Sequence, residues 1–561
     1  MSTTSSRIED IYPLTALQGL LLVDARTAAD GRADILSFTL RGPIHPAHIK
    51  RAWRLVHDRH PSMRAAFVWE KVPQPMQMVR RDAVPWVKIA DIDLAPAELL
   101  EANDWPLSTA PQIRLAIVPT GRDEHRLVVG YRPSMFDGWS VALVMREFLS
   151  AIDNLTKGRQ PSLPPCHPFR DYVAWLKSQD IDEADQFWRD ALAGIDLTTP
   201  IRAHRPAADA QSAAETTVKP MGAERAVALK AFAQALRTTP NMVLQALWAI
   251  LLRAYGAKDD VVFGAATSGR PTDVPNVDSM VGVFFNNIPI RVRMDGGQTV
   301  GALLKQLQSG MQAANRYGYT SPARVRELWD ADVSQPLFQS ILLFHNFPLK
   351  GTFWETDRAF SIDTIEKPIV TNIPLSVVCV PEMDFELRLI ASSNIADQSI
   401  RQAYLDDLCT LIDRVTHSSE QAVDTLCSMI TAPDVPLQRP DRDAVRDLSD
   451  REDYVAPITD REQYLVSVIA DVAGVKNIGI HHNFFEIGIR SIQLVRIAAR
   501  LSAAGLGNLT AVDFFEFPTV ASLSARQEAG SSSTEEAKPS RDVDSARAAR
   551  QRRVARRGAP K

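Results

Sequence analysis

Three groups of residues in this 561-residue chain have types and spacing suited to chemistry. Ser491 follows His482-Asn483-Phe484-Phe485-Glu486-Ile487-Gly488-Ile489-Arg490 and precedes Leu494, Val495, Ile497, Ala498 and Leu501, which share one helical face. The spacing predicts a helix that starts at Ser491. A hydroxyl there can cap the free amides of the first turn. It can equally be the attachment point of a phosphodiester, because the amides, the helix dipole and Arg490 all favour an anion. Position alone leaves both readings open. The second group, Arg132-Pro133-Ser134-Met135-Phe136-Asp137-Gly138, lies between the β-rich run Leu127-Val128-Val129 and the helically spaced Val141, Val144, Met145, Phe148 and Leu149. Asp137-Gly138 is therefore expected in a strand-to-helix turn. The third group is the four cysteines, Cys166, Cys379, Cys409 and Cys427. Their wide spacing argues against a zinc cluster or a disulfide framework, so reduced thiols in packed positions are expected, and no metal site.

These groups must be held by elements that the same sequence describes. Thr239 can cap a helix with Pro240 at its first position, the apolar stretch to Leu252 continues it, and Gly256 closes it before a strand at Val261-Val262-Phe263. Alternating strands and helices of this kind predict an α/β body over residues 1–430, in two subdomains of about 1–178 and 179–430. Pro433, Pro436 and Pro440 among Asp and Arg mark 431–453 as a linker. Residues 454–527 read as a small all-α unit. From 528 to 561 the composition is that of a disordered tail, and residues 541–561 carry a local charge of +6.

Composition excludes several classes. With 63 Lys plus Arg against 67 Asp plus Glu, the net charge of −4 gives no general attraction to nucleic acid or to an anionic membrane. The longest apolar run, Ala246 to Leu252, is far short of the roughly 18 residues a membrane span needs, and the polar start has no signal-peptide core. A cytoplasmic protein is expected, with no nucleic-acid or membrane partner.

The stretch ending at Ser491 resembles the carrier-protein signature FFxxGxxS, whose serine receives phosphopantetheine. The match extends to Tyr454-Val455-Ala456-Pro457 in front and to Phe514-Phe515-Glu516 and Pro518-Thr519-Val520 behind. It is similar to the peptidyl carrier domain of nonribosomal peptide synthetases, although His482 stands for the usual Asp, Ile489 for the usual second Gly, and Arg490 where His or Asp is common. The resemblance implies a helical bundle, with phosphopantetheine covalently bound to Ser491 by a phosphopantetheinyl transferase.

The body resembles the condensation domain that accompanies such carriers. Tyr12-Pro13-Leu14-Thr15-Ala16-Leu17-Gln18-Gly19 is similar to its opening motif. Later motifs fall on Arg59-His60-Pro61-Ser62-Met63-Arg64-Ala65-Ala66-Phe67, Phe169-Arg170-Asp171-Tyr172-Val173-Ala174-Trp175, Val281-Gly282-Val283-Phe284-Phe285-Asn286-Asn287-Ile288-Pro289-Ile290-Arg291, and Pro336-Leu337-Phe338 with Phe344-His345-Asn346. The resemblance implies two chloramphenicol-acetyltransferase-like subdomains with a tunnel between them. There an acceptor amine or hydroxyl attacks a donor thioester. The family's HHxxxDG falls on Arg132 to Gly138, so both histidines are replaced, by Arg132 and Pro133. Asp137 and Gly138 remain, and the resemblance implies a structural pairing of Asp137 with an arginine, for which Arg270 is the candidate. His125, Tyr131, Ser134, Ser140 and His345 are alternative proton acceptors that no spacing singles out.

Taken together, the resemblances imply a nonribosomal peptide synthetase component of secondary metabolism. It would carry an aminoacyl or acyl group on its own arm and, as an acyltransferase, join it by an amide to a donor on an upstream or downstream carrier protein. No adenylation domain fits, so a separate adenylation or other loading enzyme is expected as a partner. The alternatives are a catalytically silent platform that presents the carrier-bound intermediate to a partner enzyme, and acyl transfer to a hydroxyl or cyclisation in the same tunnel.

Overall fold

A computed structural model describes residues 7–526 apart from 28–32, 70–71, 73, 93, 103, 196–198, 205–213, 257, 330–336, 346–356, 367–370, 372, 382–384, 439–445, 450–453, 485–486, 488, 490, 507–508 and 510–512. The expected basic tail, 528–561, lies outside the described residues. The chain divides into two compact units, Met1–Ala444 and Val445–Lys561.

In the first unit, the apolar strand Glu124–Tyr131 lies near the centre of a five-stranded sheet. The order is Ser361–Glu366, Asp34–Arg41, Glu124–Tyr131, Ile113–Gly121, Trp86–Ile89, with only the last pair parallel. Against this half pack the helices Pro46–Arg59 and Gly138–Thr156, which meet through an edge-to-face contact of Trp53 and Phe148 at 5.2 Å. A separate three-stranded antiparallel sheet joins Ile8–Pro13, Met76–Arg80 and Ala65–Val68.

The second half of the body builds a six-stranded sheet in the order Asn286–Arg293, Asp260–Thr267, Ser340–Phe344, Leu375–Val380, Glu386–Ser392, Ala214–Pro220. The helix Pro240–Ala254 starts and stops where its sequence says it should. Thr239 Oγ1 accepts from the Met242 amide at 3.3 Å, Pro240 occupies the first turn, and Gly256 takes φ +100°, a conformation that side-chain-bearing residues rarely adopt. Because it is apolar on nearly every face, this helix is buried from Met242 to Leu252, among the helices Val300–Arg316 and Gln398–Val415.

Sequence order and sheet membership part company at one place. The strand Ser361–Glu366, expected with the second subdomain, hydrogen-bonds to Asp34–Arg41 of the first sheet. An edge strand presents unpaired N–H and C=O groups, and the returning chain satisfies them. The stretch 431–453, expected as a linker, also carries paired backbone. Leu437–Gln438 pairs with Ile201–Arg202 in the body, and Arg202 donates to Val435 O at 2.9 Å.

The second unit is built on the helices Asp460–Ala473 and Ser491–Ala503, with a short helix Asp513–Glu516 and a last helical segment at 520–526. Thr459 and Glu462 form a reciprocal cap at the start of the first, and Gly474 ends it at φ +65°. Leu465, Ile469, Val472, Leu494, Ile497, Leu501, Phe514 and Leu523 make the core. To the helices the structure adds a two-residue parallel pair, in which Arg446–Asp447 of the stretch expected as linker joins Val475–Lys476 of the unit expected to be all-α.

Candidate functional site

Arg132 to Asp137 form the turn between the strand Glu124–Tyr131 and the helix Gly138–Thr156. Arg132 O accepts from the amides of Met135 and Phe136 at 2.9 and 3.0 Å, which closes the turn. The Arg132 side chain is buried. Its Nη2 donates to Trp105 O at 2.7 Å, and its guanidinium lies 4.8 Å from the centroid of the Trp105 ring. A guanidinium donates and cannot accept, and Pro133, half-buried beside it, offers no side-chain acceptor.

Asp137 caps the helix and ties it to the second half of the body. Oδ1 accepts from the Ser140 amide at 2.7 Å and lies 3.3 Å from Arg270 Nη2; Oδ2 accepts from the Phe284 amide at 3.0 Å. The side chains of both members of the ion pair are almost fully buried, at 2% and 3% exposure. Ser140 completes the junction. Its hydroxyl donates to Gly282 O at 2.8 Å and accepts from Gly282 N and from Arg270 Nη2, each at 3.0 Å. Arg270 Nη1 reaches Val277 O and Met280 O at 2.5 and 3.0 Å, and its guanidinium lies 3.9 Å from the Phe284 ring centroid. Burial pulls the Arg270 pKa down, and the Asp137 carboxylate opposes that pull. This cluster suits holding the turn in place.

The other candidate proton acceptors are differently placed. Tyr131 donates to Asp34 Oδ2 at 3.3 Å, and burial raises its pKa well above the ordinary value. His125 lies six residues along the strand, about 20 Å from Tyr131, and burial pushes its imidazole down. His345 follows the strand Ser340–Phe344 of the second sheet, where its amide donates to Cys379 O at 2.9 Å. Ser134 is in the turn itself, and its buried hydroxyl has no hydrogen-bond partner among the described residues. Its carbonyl accepts from Gln18 Nε2 at 3.2 Å, and Gln18 leads on through Gln77 to Tyr12 Oη. The bonds from Gly282 and Phe284 were not read from the sequence, although both residues stand in a motif already marked there; backbone groups leave no residue-type signal.

In the second unit, Ser491 is the first residue of its helix. Phe485, Glu486, Gly488, Arg490 and the side chain of Ser491 lie outside the described residues. The chain on either side is well tied. Phe484 donates from its amide to Pro518 O at 2.9 Å and packs edge-on against Phe514, and the Ile489 amide bonds to Phe484 O at 2.9 Å. His482, where the carrier signature has Asp, accepts from the Gly479 amide at 3.0 Å through Nδ1. A serine that opens a helix, beside first-turn amides without intrahelical partners, fits covalent attachment of a phosphodiester.

Among the described residues, no group of three or more His, Cys, Asp or Glu is placed to hold a metal, and no helix is long and apolar enough to cross a membrane. All four cysteines are free thiols; Cys379 and Cys409 are buried, whereas Cys166 and Cys427, expected in packed positions, are partly exposed.

Comparison with known proteins agrees with this architecture. The condensation-domain model matches residues 8–434, and the phosphopantetheine attachment site model matches residues 463–526. The chain belongs to the condensation-domain family, in the form that precedes a carrier domain, and it is homologous to nonribosomal peptide synthetases. A linear gramicidin synthase of Brevibacillus parabrevis is 32% identical over 431 residues, which are 74% of this chain and 6% of that protein. A plipastatin synthase of Bacillus subtilis (strain 168) is 26% identical over 525 residues, 89% of this chain and 20% of that protein. The chain thus spans a small part of the length of these relatives. Among solved structures, the condensation domain from Monacolin K polyketide synthase MokA superposes with a TM-score of 0.62 at 17% identity, covering 74% of this chain and all of that one. The X-domain from teicoplanin biosynthesis superposes with a TM-score of 0.60 at 23% identity, covering 73% and 96%. The fold of the body is the chloramphenicol-acetyltransferase-like α/β fold of these domains. Phosphopantetheine is the covalent cofactor of the carrier family, held on a serine.

Proposed function

We propose that the chain is a condensation–carrier component of a nonribosomal peptide synthetase, whose body joins the group borne by a carrier to a donor thioester by forming an amide. The observation that carries this reading is the intact junction of Asp137, Ser140, Arg270, Gly282 and Phe284 directly beside the altered positions Arg132 and Pro133. Ser491 is the proposed attachment residue, modified by a phosphopantetheinyl transferase. When attached, phosphopantetheine supplies a flexible arm whose thiol holds acyl groups as thioesters. A separate adenylation or other loading enzyme and a second carrier are the remaining proposed partners.

The chain's own residues would then act by alignment. General-base help contributes about 10²- to 10⁴-fold, whereas holding two reactants in place gives effective molarities of about 10⁵ to 10⁸ M. Positioning is the larger effect, and a thioester is already activated toward an amine. Neither Arg132 nor Pro133 can take a proton; Arg132 instead braces the turn against Trp105. Mass spectrometry of the phosphopantetheinylated chain, loaded and mixed with a loaded donor carrier, tests the reading. A new amide supports it, and an ester or cyclised product would assign the same tunnel a different acceptor.

A second reading is favoured by the absence of a proton acceptor at positions 132 and 133. The body would be a silent platform that presents its carrier-bound group to another enzyme. One of the similar folds is the teicoplanin X-domain in complex with OxyB, at 22% identity and a TM-score of 0.60. Donor that binds and stays unchanged would select this reading.

A further inference from the structure

A second constellation of reactive side chains lies in the body, apart from the turn at Arg132 to Asp137. His60 directly follows the helix Pro46–Arg59, Glu147 sits on the helix Gly138–Thr156, and Cys166 lies in the connection between that helix and the helix Phe169–Lys177. Cys166 Sγ is 3.2 Å from His60 Nδ1, and His60 Nε2 is 2.9 Å from Glu147 Oε2. Nucleophile, base and orienting carboxylate therefore stand in line, each within hydrogen-bond reach of the next. We propose that Cys166 is a nucleophilic thiol, with His60 as its base and Glu147 orienting that base, and that it is a modification site taking small disulfides by thiol–disulfide exchange.

Four observations support the assignment. His60 and Glu147 are buried, at 1% and 6% exposure, so solvent does not compete for their mutual bond, while Cys166 itself is partly exposed. Arg59 holds the arrangement from both sides: Nε lies 2.8 Å from Glu147 Oε2, and Nη2 donates to Pro164 O in the connection that carries Cys166. The charged and titratable groups against His60 are thus Glu147, Arg59 beyond it, and Cys166. Burial pulls the His60 imidazole down, but the hydrogen bonds to Cys166 and Glu147 outweigh it and leave the pKa raised. An imidazole so placed, 3.2 Å from the sulfur and held on its far side by Glu147, is positioned to accept the thiol proton as sulfur attacks. Finally, among the described residues the other thiols have no such imidazole beside them. Cys379 is pushed up to about 12 by burial, and burial also raises Cys409 and Cys427, the last beside Arg253.

The reaction balances without a further oxidant. Cys166 sulfur attacks one sulfur of RS–SR, a bond forms between them, the RS–SR bond breaks, and the departing thiolate takes the proton held by His60. One disulfide is consumed and one is made. The adduct would stand at the seam between the helices Pro46–Arg59 and Gly138–Thr156. The proposal is independent of the function proposed above.

The test uses the full chain with limiting 2,2′-dithiodipyridine at pH 6, followed by non-reducing peptide mapping, which separates Cys166 from any other thiol. Cys166 should acquire the thiopyridyl group about tenfold faster than Cys427, and Glu147→Gln should slow Cys166 about tenfold at pH 6 with Cys427 unaffected. Cys166 reacting no faster than Cys427, or at an unchanged rate in folded Glu147→Gln, overturns the proposal. Should that variant not fold, the pH profile of the unaltered chain decides. An inflection below that of N-acetylcysteine in the same solution supports the assignment, and a coincident one overturns it.

Discussion

Asp137 receives donors from three directions, the Ser140 amide, the Phe284 amide and the Arg270 guanidinium, so both carboxylate oxygens are committed before any substrate arrives. Removing one member of a buried pair leaves the other charge uncompensated and costs about 3 to 5 kcal/mol. Asp137→Ala should therefore lower the melting temperature together with any activity. Unchanged melting with abolished turnover would instead mark a catalytic carboxylate. Ser140→Ala strips partners from Gly282 N and O and from Arg270, and thermal unfolding should show a loss of about 1 to 3 kcal/mol, the cost of an unsatisfied buried polar group. The sequence made Asp137 and Arg270 legible, because a motif led to the first and the arginine partner that the resemblance implies led to the second, which stands in the stretch Gly269-Arg270-Pro271. Ser140 was legible only as one of several hydroxyls. A serine in a first helical turn has an ordinary local use, and nothing in its type shows that it bonds across the body to Gly282. His60 and Cys166 were hidden for a similar reason: they stand 106 positions apart, and only the fold brings them together.

The strand-to-helix turn and the segment Met280 to Phe284 work as one joint, and the joint leaves little room. At Gly282 an added Cβ would overlap the Phe169 ring, which is itself packed against Tyr172 and Phe284 with centroids at 5.6 and 5.1 Å. Overpacking of this kind costs about 1 to 3 kcal/mol. Gly282→Ala should lower the denaturant midpoint of the body by a corresponding amount, and an unchanged midpoint would show that the two segments separate readily. Elements with strong local signals were the readable ones. The helix Pro240–Ala254 announces its cap, its first-turn proline and its closing glycine, and the strand Glu124–Tyr131 its apolar run. The strand Ser361–Glu366 was not assignable to the first sheet, because pairing with Asp34–Arg41 depends on a partner more than 300 positions away. The pairing of Leu437–Gln438 with the body was masked by prolines that read as linker composition.

Across the whole chain, two units with different architectures follow one another, a mixed α/β body and a helical carrier. Ser491 opens a helix whose buried face holds Leu494, Ile497 and Leu501, so substitution at its first residue should spare the fold. Incubation with coenzyme A and a phosphopantetheinyl transferase should add one arm to the intact mass of the chain and none to Ser491→Ala, with both forms melting alike. An arm that persists in the variant would move the attachment elsewhere. The central claim, condensation by positioning without a base at 132 and 133, is tested most directly by the single-turnover rate of amide formation between loaded carriers. It is to be measured for the unaltered chain and for Arg132→His combined with Pro133→His, after both are shown to be folded. The account predicts that the unaltered chain forms the amide and that the double substitution changes its rate by less than about 10²-fold, the least expected of a general base. An inert chain that gains turnover of that size or more through the two histidines would contradict it.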